Sequence, residues 1–256
     1  VVTIALPERV PAEAGQFWAG TTKGIRIYLA TPRLQGLMVM ELAVAAAGAM
    51  IYVNTVVLVQ ARFGLGGSQV ALAFAAFGAG SMLAAALLPH LLKRHADRPL
   101  MLAGAGLMVA GVAVTPLMPG LAALMALWAV AGFGFSLTQT PIGRILNRSA
   151  RPEDRPAVFA AQFALSHACW LITYPLAGWL GSAFGLAQAA LVLAAVGAAA
   201  MIAVFRLWPA IDPVELIHDH ADLAPDHPHL REGHDGAHQH AVMIDGLHPH
   251  WPRPKI

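Results

Sequence analysis

Apolar residues fall in six long runs, at about 34–60, 69–92, 100–118, 121–142, 157–184 and 186–205, separated by short polar or glycine- and proline-bearing stretches. Each run holds roughly 20 residues, the length that carries an α-helix across a hydrocarbon core of about 30 Å. The pattern predicts an all-α integral membrane protein, a bundle of six transmembrane helices over 34–206. Before it, 2–6 reads as the end of a preceding helix and 8–33 as a connecting loop carrying a short amphipathic helix. After it, 207–256 is a polar tail. Pro141 and Pro175 fall inside or beside the runs, where a missing N–H and a crowded carbonyl kink or end a helix. Glycines such as Gly78, Gly80, Gly104, Gly106, Gly132, Gly134, Gly178 and Gly181 provide for close approach of helix backbones, which lipid-embedded packing favours.

Composition agrees with the bilayer as solvent: 57% of the residues are hydrophobic, 12% are charged, and the mean hydropathy is +0.61. A soluble domain with a charged surface does not have this balance. The formal charge of +2 matters less than its placement. The segments before 34, after 92, after 143 and after 205 are basic, with Lys23, Arg26, Arg33, Lys93, Arg94, Arg98, Arg144, Arg148, Arg151, Arg155 and Arg206. The intervening turns carry only Arg62. By the positive-inside rule both ends of the chain lie in the cytoplasm, and the expected location is a bacterial-type inner (plasma) membrane with lipid as the partner. Basic residues that follow topology in this way form no nucleic-acid-binding patch. Cys169 is the only cysteine, which excludes an internal disulfide or a thiolate zinc site. The chain has no HExxH, no GxSxG, no paired-carboxylate motif in a helix and no glycine-rich phosphate loop, so neither an enzyme nor ATP use is expected.

Two stretches carry a family resemblance. One runs from Gly80-Ser81-Met82-Leu83 to Lys93-Arg94-His95-Ala96-Asp97-Arg98, and is similar to a loop motif of glycine, acidic and basic residues between paired helices. The other, Tyr174-Pro175-Leu176-Ala177-Gly178-Trp179-Leu180-Gly181, is similar to a glycine-and-proline motif of antiporter helices. With the order of spans and loops, residues 1–206 resemble the carboxy-terminal half of a major facilitator superfamily transporter of the efflux type. The resemblance implies a twelve-helix fold whose amino-terminal six-helix half is missing here and would be the partner of this one. It also implies secondary active transport by alternating access, with proton-coupled efflux of small organic compounds or a divalent metal. The usual aspartate at the first motif's helix end is replaced near His90.

Polar side chains at midplane depth are the candidates for a transport pathway. At 1.5 Å per residue His167 lies about 15 Å into its span, where an imidazole exchanges a proton or binds a metal or an anion, or else hydrogen-bonds a neighbouring helix as a neutral ring. On a helical wheel His167, Trp170 and Tyr174 share a face with Phe159 and Phe163, beside a polar stripe of Gln162, Ser166 and Thr173. This face suits a partly apolar organic cargo, or else packs against lipid and other helices. Glu41, two turns into the first span, is a candidate for the coupling proton, or else reaches a gate or a helix end. Asn54 is the weaker candidate, most simply bonded to another helix.

The tail holds nine of the twelve histidines: His218, His220, His227, His229, His234, His238, His240, His248 and His250. Repeated prolines and sparse apolar residues predict a mostly disordered segment with a short ordered piece near 242–251. No resident cofactor is expected, but imidazoles with nearby carboxylates suit a weakly bound divalent metal such as nickel, cobalt or zinc. Nickel exporters of the superfamily have tails of similar composition. The alternative function class is therefore a membrane-anchored protein that binds or buffers metal through this tail, and a membrane-embedded enzyme using His167 and Glu41 is a third.

Overall fold

The computed structural model describes residues 14–212, 215–219, 237–240, 242–245, 248, 250 and 251. Its helices are α1 (Ala14–Ala30), α2 (Pro32–Val57), α3 (Gly67–Leu91), α4 (Asp97–Val114), α5 (Leu121–Gln139), α6 (Ile142–Ser149), α7 (Arg155–Phe184) and α8 (Leu186–Leu207). Among the described residues, six helical segments are long and apolar enough to cross a membrane: Pro32–Arg62, Gly67–Leu91, Asp97–Leu117, Leu121–Ser149, Arg155–Phe184 and Leu186–Leu207. The architecture is an all-α six-helix membrane bundle.

Three local differences from the sequence pattern have physical causes. The fourth apolar run is followed by a separate short helix, because Pro141 has no N–H to continue the ladder: α5 stops at Gln139 and α6 begins at Ile142, where the run ends. Pro89 and Pro175, by contrast, sit inside α3 and α7 without ending them. Upstream, what reads as a loop with a short helix holds the 17-residue helix α1, which packs along the start of α7. Gly24 permits that approach, since a methyl group there would overlap the Ala157 carbonyl.

Helix α2 is the centre of the bundle. Leu34, Leu37, Met40, Ala43 to Ala47, Met50 and Ile51 are all buried against α4, α7 and α8. The outer faces of α3, α7 and α8 instead expose Met82, Leu83, Leu171, Ile172, Trp179, Ile202 and Phe205, a surface of the kind that meets lipid or another apolar protein face. Small residues set the helix spacing. A methyl on Gly80 would overlap the Ala129 carbonyl and one on Gly132 the Phe77 carbonyl, so α3 and α5 touch backbone to backbone; Gly104 and Gly134 do the same between α4 and α5. Gly78 and Gly106 face open space, and their packing role is not seen.

Polar side chains fasten the two ends. At the sparsely charged end Arg62 Nη2 donates to Pro116 O at 2.8 Å and to Met118 O at 3.3 Å. At the basic end the tail is tied down. Trp208 is fully buried with its Cβ against Gly36, its carbonyl accepts from Arg98 Nε at 3.1 Å, and its Nε1 donates to Asp212 Oδ2 at 3.2 Å. Further on, Val242 and Ile244 are buried, Asp245 pairs with Arg151, and the Arg33 guanidinium lies 4.9 Å from the Trp251 ring centroid.

Much of the tail expected to be mostly disordered lies outside the described residues. Trp208, Asp212, Ile244, Asp245 and Trp251 contact the bundle, because two tryptophans and two carboxylates meet basic helix ends there. Two short strands, β1 (Leu216–Asp219) and β2 (Ala237–His240), pair antiparallel. The expected ordered piece near 242–251 is present in its described residues.

Candidate functional site

Glu41 lies on the most enclosed helix and is 3% exposed. Its carboxylate accepts from Gln139 Nε2 on both oxygens, at 3.1 and 3.2 Å. Gln139 is the last residue of α5, next to the Pro141 break, so the end of one span provides the neutral partner for a carboxylate inside another. A buried carboxylate whose hydrogen-bond partner is an amide costs much more when ionised than one paired with a cation.

Farther along α2, about 16 Å by helical rise, Tyr52 begins an aromatic belt. Its ring centroid is 5.6 Å from Phe77 of α3 and 5.9 Å from Trp170 of α7. Phe77 continues to Phe135 of α5 at 5.7 Å, and Trp170 to Tyr174 at 5.1 Å. Trp170 reaches α2 because Gly48 has no side chain: a methyl there would overlap the indole. Rings from α2, α3, α5 and α7 thus form one connected group, spaced for edge and offset contacts.

The remaining sequence candidates divide. Asn54 is buried and joins helices, its Nδ2 donating to Ala177 O of α7 at 3.2 Å. Gln162 does not belong to an open polar stripe: it is buried and accepts a hydrogen bond from the Tyr28 hydroxyl of α1. Burial, with Glu41 nearby, pushes the Tyr28 phenol up and keeps it protonated as the donor. Ser166 and His167 bond to their own helix, Ser166 Oγ to Phe163 O at 3.1 Å and His167 Nδ1 to the same carbonyl at 2.8 Å. With the Phe163 ring tilted against it at 3.9 Å between centroids, His167 lies on the exposed side of α7 and keeps Nε2 available. Tyr174 is half-exposed on the same helix.

Sequence reasoning missed Tyr28, Tyr52, Phe77, Phe135 and Gln139. A signal existed only for Gln139, a polar residue at a predicted span end; Tyr52, Phe77 and Phe135 lie within apolar runs and Tyr28 in the segment read as a loop.

Of the tail histidines, His220, His227, His229 and His234 lie outside the described residues, and His218, His238 and His240 are placed by backbone alone. His248 is buried and bonded to Asp245 through Nδ1 at 3.1 Å, and His250 is exposed. Among the residues whose side chains are described, no group of three or more His, Cys, Asp or Glu is placed to hold a metal ion.

No curated protein matches the chain. A family model described as Major Facilitator Superfamily matches residues 37–233, from the second turn of α2 through all six spans and into the tail. With six apolar helices around a buried carboxylate and an aromatic belt, that match establishes that the chain belongs to the major facilitator superfamily of membrane transporters.

Proposed function

We propose that the protein is a proton-coupled secondary transporter that exports a small, partly apolar organic compound by alternating access. The observation that carries this reading is Glu41, enclosed in the bundle and held by the neutral Gln139 rather than by a cation. Neutral, the carboxyl is cheap to bury; ionised, it needs water or a cationic partner. An arrangement that alternately encloses and opens this residue takes up and releases a proton, which is what coupling requires. The belt from Tyr52 to Tyr174 offers aromatic faces with hydroxyl tips to an organic cargo. His167, with Nε2 available on the exposed side of α7, provides a second titratable group beside the route. The basic end faces the cytoplasm of a bacterial-type inner membrane, and a second six-helix half completes the cavity.

The test is efflux of a fluorescent lipophilic cation from cells carrying the full-length gene, with and without an imposed pH gradient. Glu41→Gln is expected to abolish gradient-driven efflux while leaving the protein folded in the membrane. Gradient-driven efflux at the original rate in Glu41→Gln overturns the coupling role.

A second reading, metal handling through the tail, is favoured by one observation. The β1–β2 register sets His218 opposite His238, with Leu216 opposite His240. Because strand positions alternate faces, His218, His238 and His240 occupy one face of the ladder. Imidazoles without thiolate suit nickel, cobalt or zinc. Removing 217–256 separates the readings: a metal buffer loses retention of nickel in the membrane fraction, whereas an exporter of organic compounds keeps cation efflux.

A further inference from the structure

The basic end holds a cleft that the transport reading does not use. It opens between α3 and the corner joining α5 to α6, and its volume is about 400 Å³, within the range of small-ligand sites. Its walls are Ala85, Leu88, Pro89 and Leu92, in or just past the last turns of a membrane-crossing helix. The neighbouring Met82, Leu83 and Leu87 are exposed, which continues the apolar wall along α3 beyond the cleft.

The rim is polar and cationic. Lys93 stands just past the end of α3 and Arg144 on the first turn of α6, with the Thr140 hydroxyl between the helices. Arg144 is 59% exposed, and its facing carboxylate is Asp97, with Nε 3.4 Å from Oδ1. One such contact leaves most of the five guanidinium donors free for another acceptor. Thr140 shares its hydroxyl with Ser136 at 3.3 Å. Pro89 adds an acceptor, because it has no N–H to give the Ala85 carbonyl one turn earlier. A backbone carbonyl without its helical donor, on an apolar wall, calls for a donor from elsewhere.

We propose that this cleft binds an acidic phospholipid with a hydroxyl-bearing headgroup, of the phosphatidylglycerol type. The phosphodiester sits on Lys93 and Arg144, a charge-assisted pairing. The first carbons of an acyl chain lie on Leu88, Pro89 and Leu92, and a headgroup hydroxyl donates to the Ala85 carbonyl. A soluble phosphate satisfies only the rim and leaves the apolar walls bare. A choline lipid carries its own cation toward Lys93 and Arg144. Basic pockets between membrane helices at the lipid–water boundary are suited to anionic headgroups on these grounds.

The test is native mass spectrometry of lipid retained by the full-length protein after extraction from phosphatidylcholine nanodiscs doped with phosphatidylglycerol. A parallel sample contains glycerol phosphate as the free headgroup. Expected are preferential retention of phosphatidylglycerol, no competition by glycerol phosphate, and retention weaker by about fivefold in Lys93→Gln, the value of one cation near an anionic surface. Ala85→Phe fills the cleft from an exposed position and leaves both cations in place; it is expected to abolish retention with unchanged thermal unfolding. Equal retention of both lipids, or unchanged retention in both variants, overturns the proposal. Competition by glycerol phosphate overturns it too, making the cleft a soluble-phosphate site. So does oxidative cross-linking between two copies bearing Ala85→Cys with Cys169→Ser, which makes the cleft a protein interface.

Discussion

Asp212 Oδ2 accepts a hydrogen bond from Arg148 Nη2 at 2.6 Å, joining the first residues after α8 to the end of α6. The other carboxylate oxygen lies 3.6 Å from Nε of the buried Arg33, at the start of α2. Three chain segments far apart in sequence thus meet at one side chain, with the Trp208 indole as a further donor. Asp212→Ala leaves Arg33 enclosed without its counter-charge, and is expected to cost about 2 kcal/mol. Asp212→Asn retains an acceptor and is expected to cost less. Thermal unfolding in detergent, comparing the two variants, checks the order.

The backbone contact between α3 and α5 predicts a contrast among glycines of similar sequence setting. Gly80→Ala and Gly132→Ala each place a methyl onto a carbonyl of the other helix, forcing the pair apart at a cost of about 1–3 kcal/mol. Gly78→Ala and Gly106→Ala meet nothing and are expected to be neutral or slightly stabilising, since alanine is the better helix former. Yield of folded protein from membranes and the unfolding midpoint both report this difference.

His167 bonds to its own helix and lies on the exposed side of α7. His167→Ala is therefore expected to change stability by less than about 0.5 kcal/mol. A fall in cation efflux in a variant of unchanged unfolding midpoint would then report on the transport route. Unchanged efflux would leave Glu41 as the sole coupling candidate.

At the sparsely charged end, Arg62→Ala removes both hydrogen bonds to the turn after α4 and is expected to cost about 1 kcal/mol. Because the bonds span the connection before α5, hydrogen exchange of the amides around Met118 is expected to rise more than that of α2.

Much of the bundle was legible because a bilayer imposes a simple demand: a run of about 20 apolar residues, with charge kept at the ends. Leu186, where the sixth run begins, is also where α8 begins. Which faces meet was not legible. Glu41 and Gln139 are far apart in the chain, and nothing in either neighbourhood names the other. Gln162 reads as part of a polar stripe until α1 covers it. The attachment points of the tail were not legible for a different reason: its composition is that of a solvated segment, and Trp208, Asp212 and Trp251 are placed singly, where each matches a basic helix end.

The attachment of α1 has a mechanical meaning. Lys23 pairs with Asp154, Gly24 lies on Ala157 and Tyr28 bonds Gln162, so the helix before the bundle is riveted along the first turns of α7 rather than hung from α2 alone. Force applied at Ala14 is delivered through these three rivets to the helix that holds His167, Trp170 and Tyr174. The segment before the first span is a lever on α7.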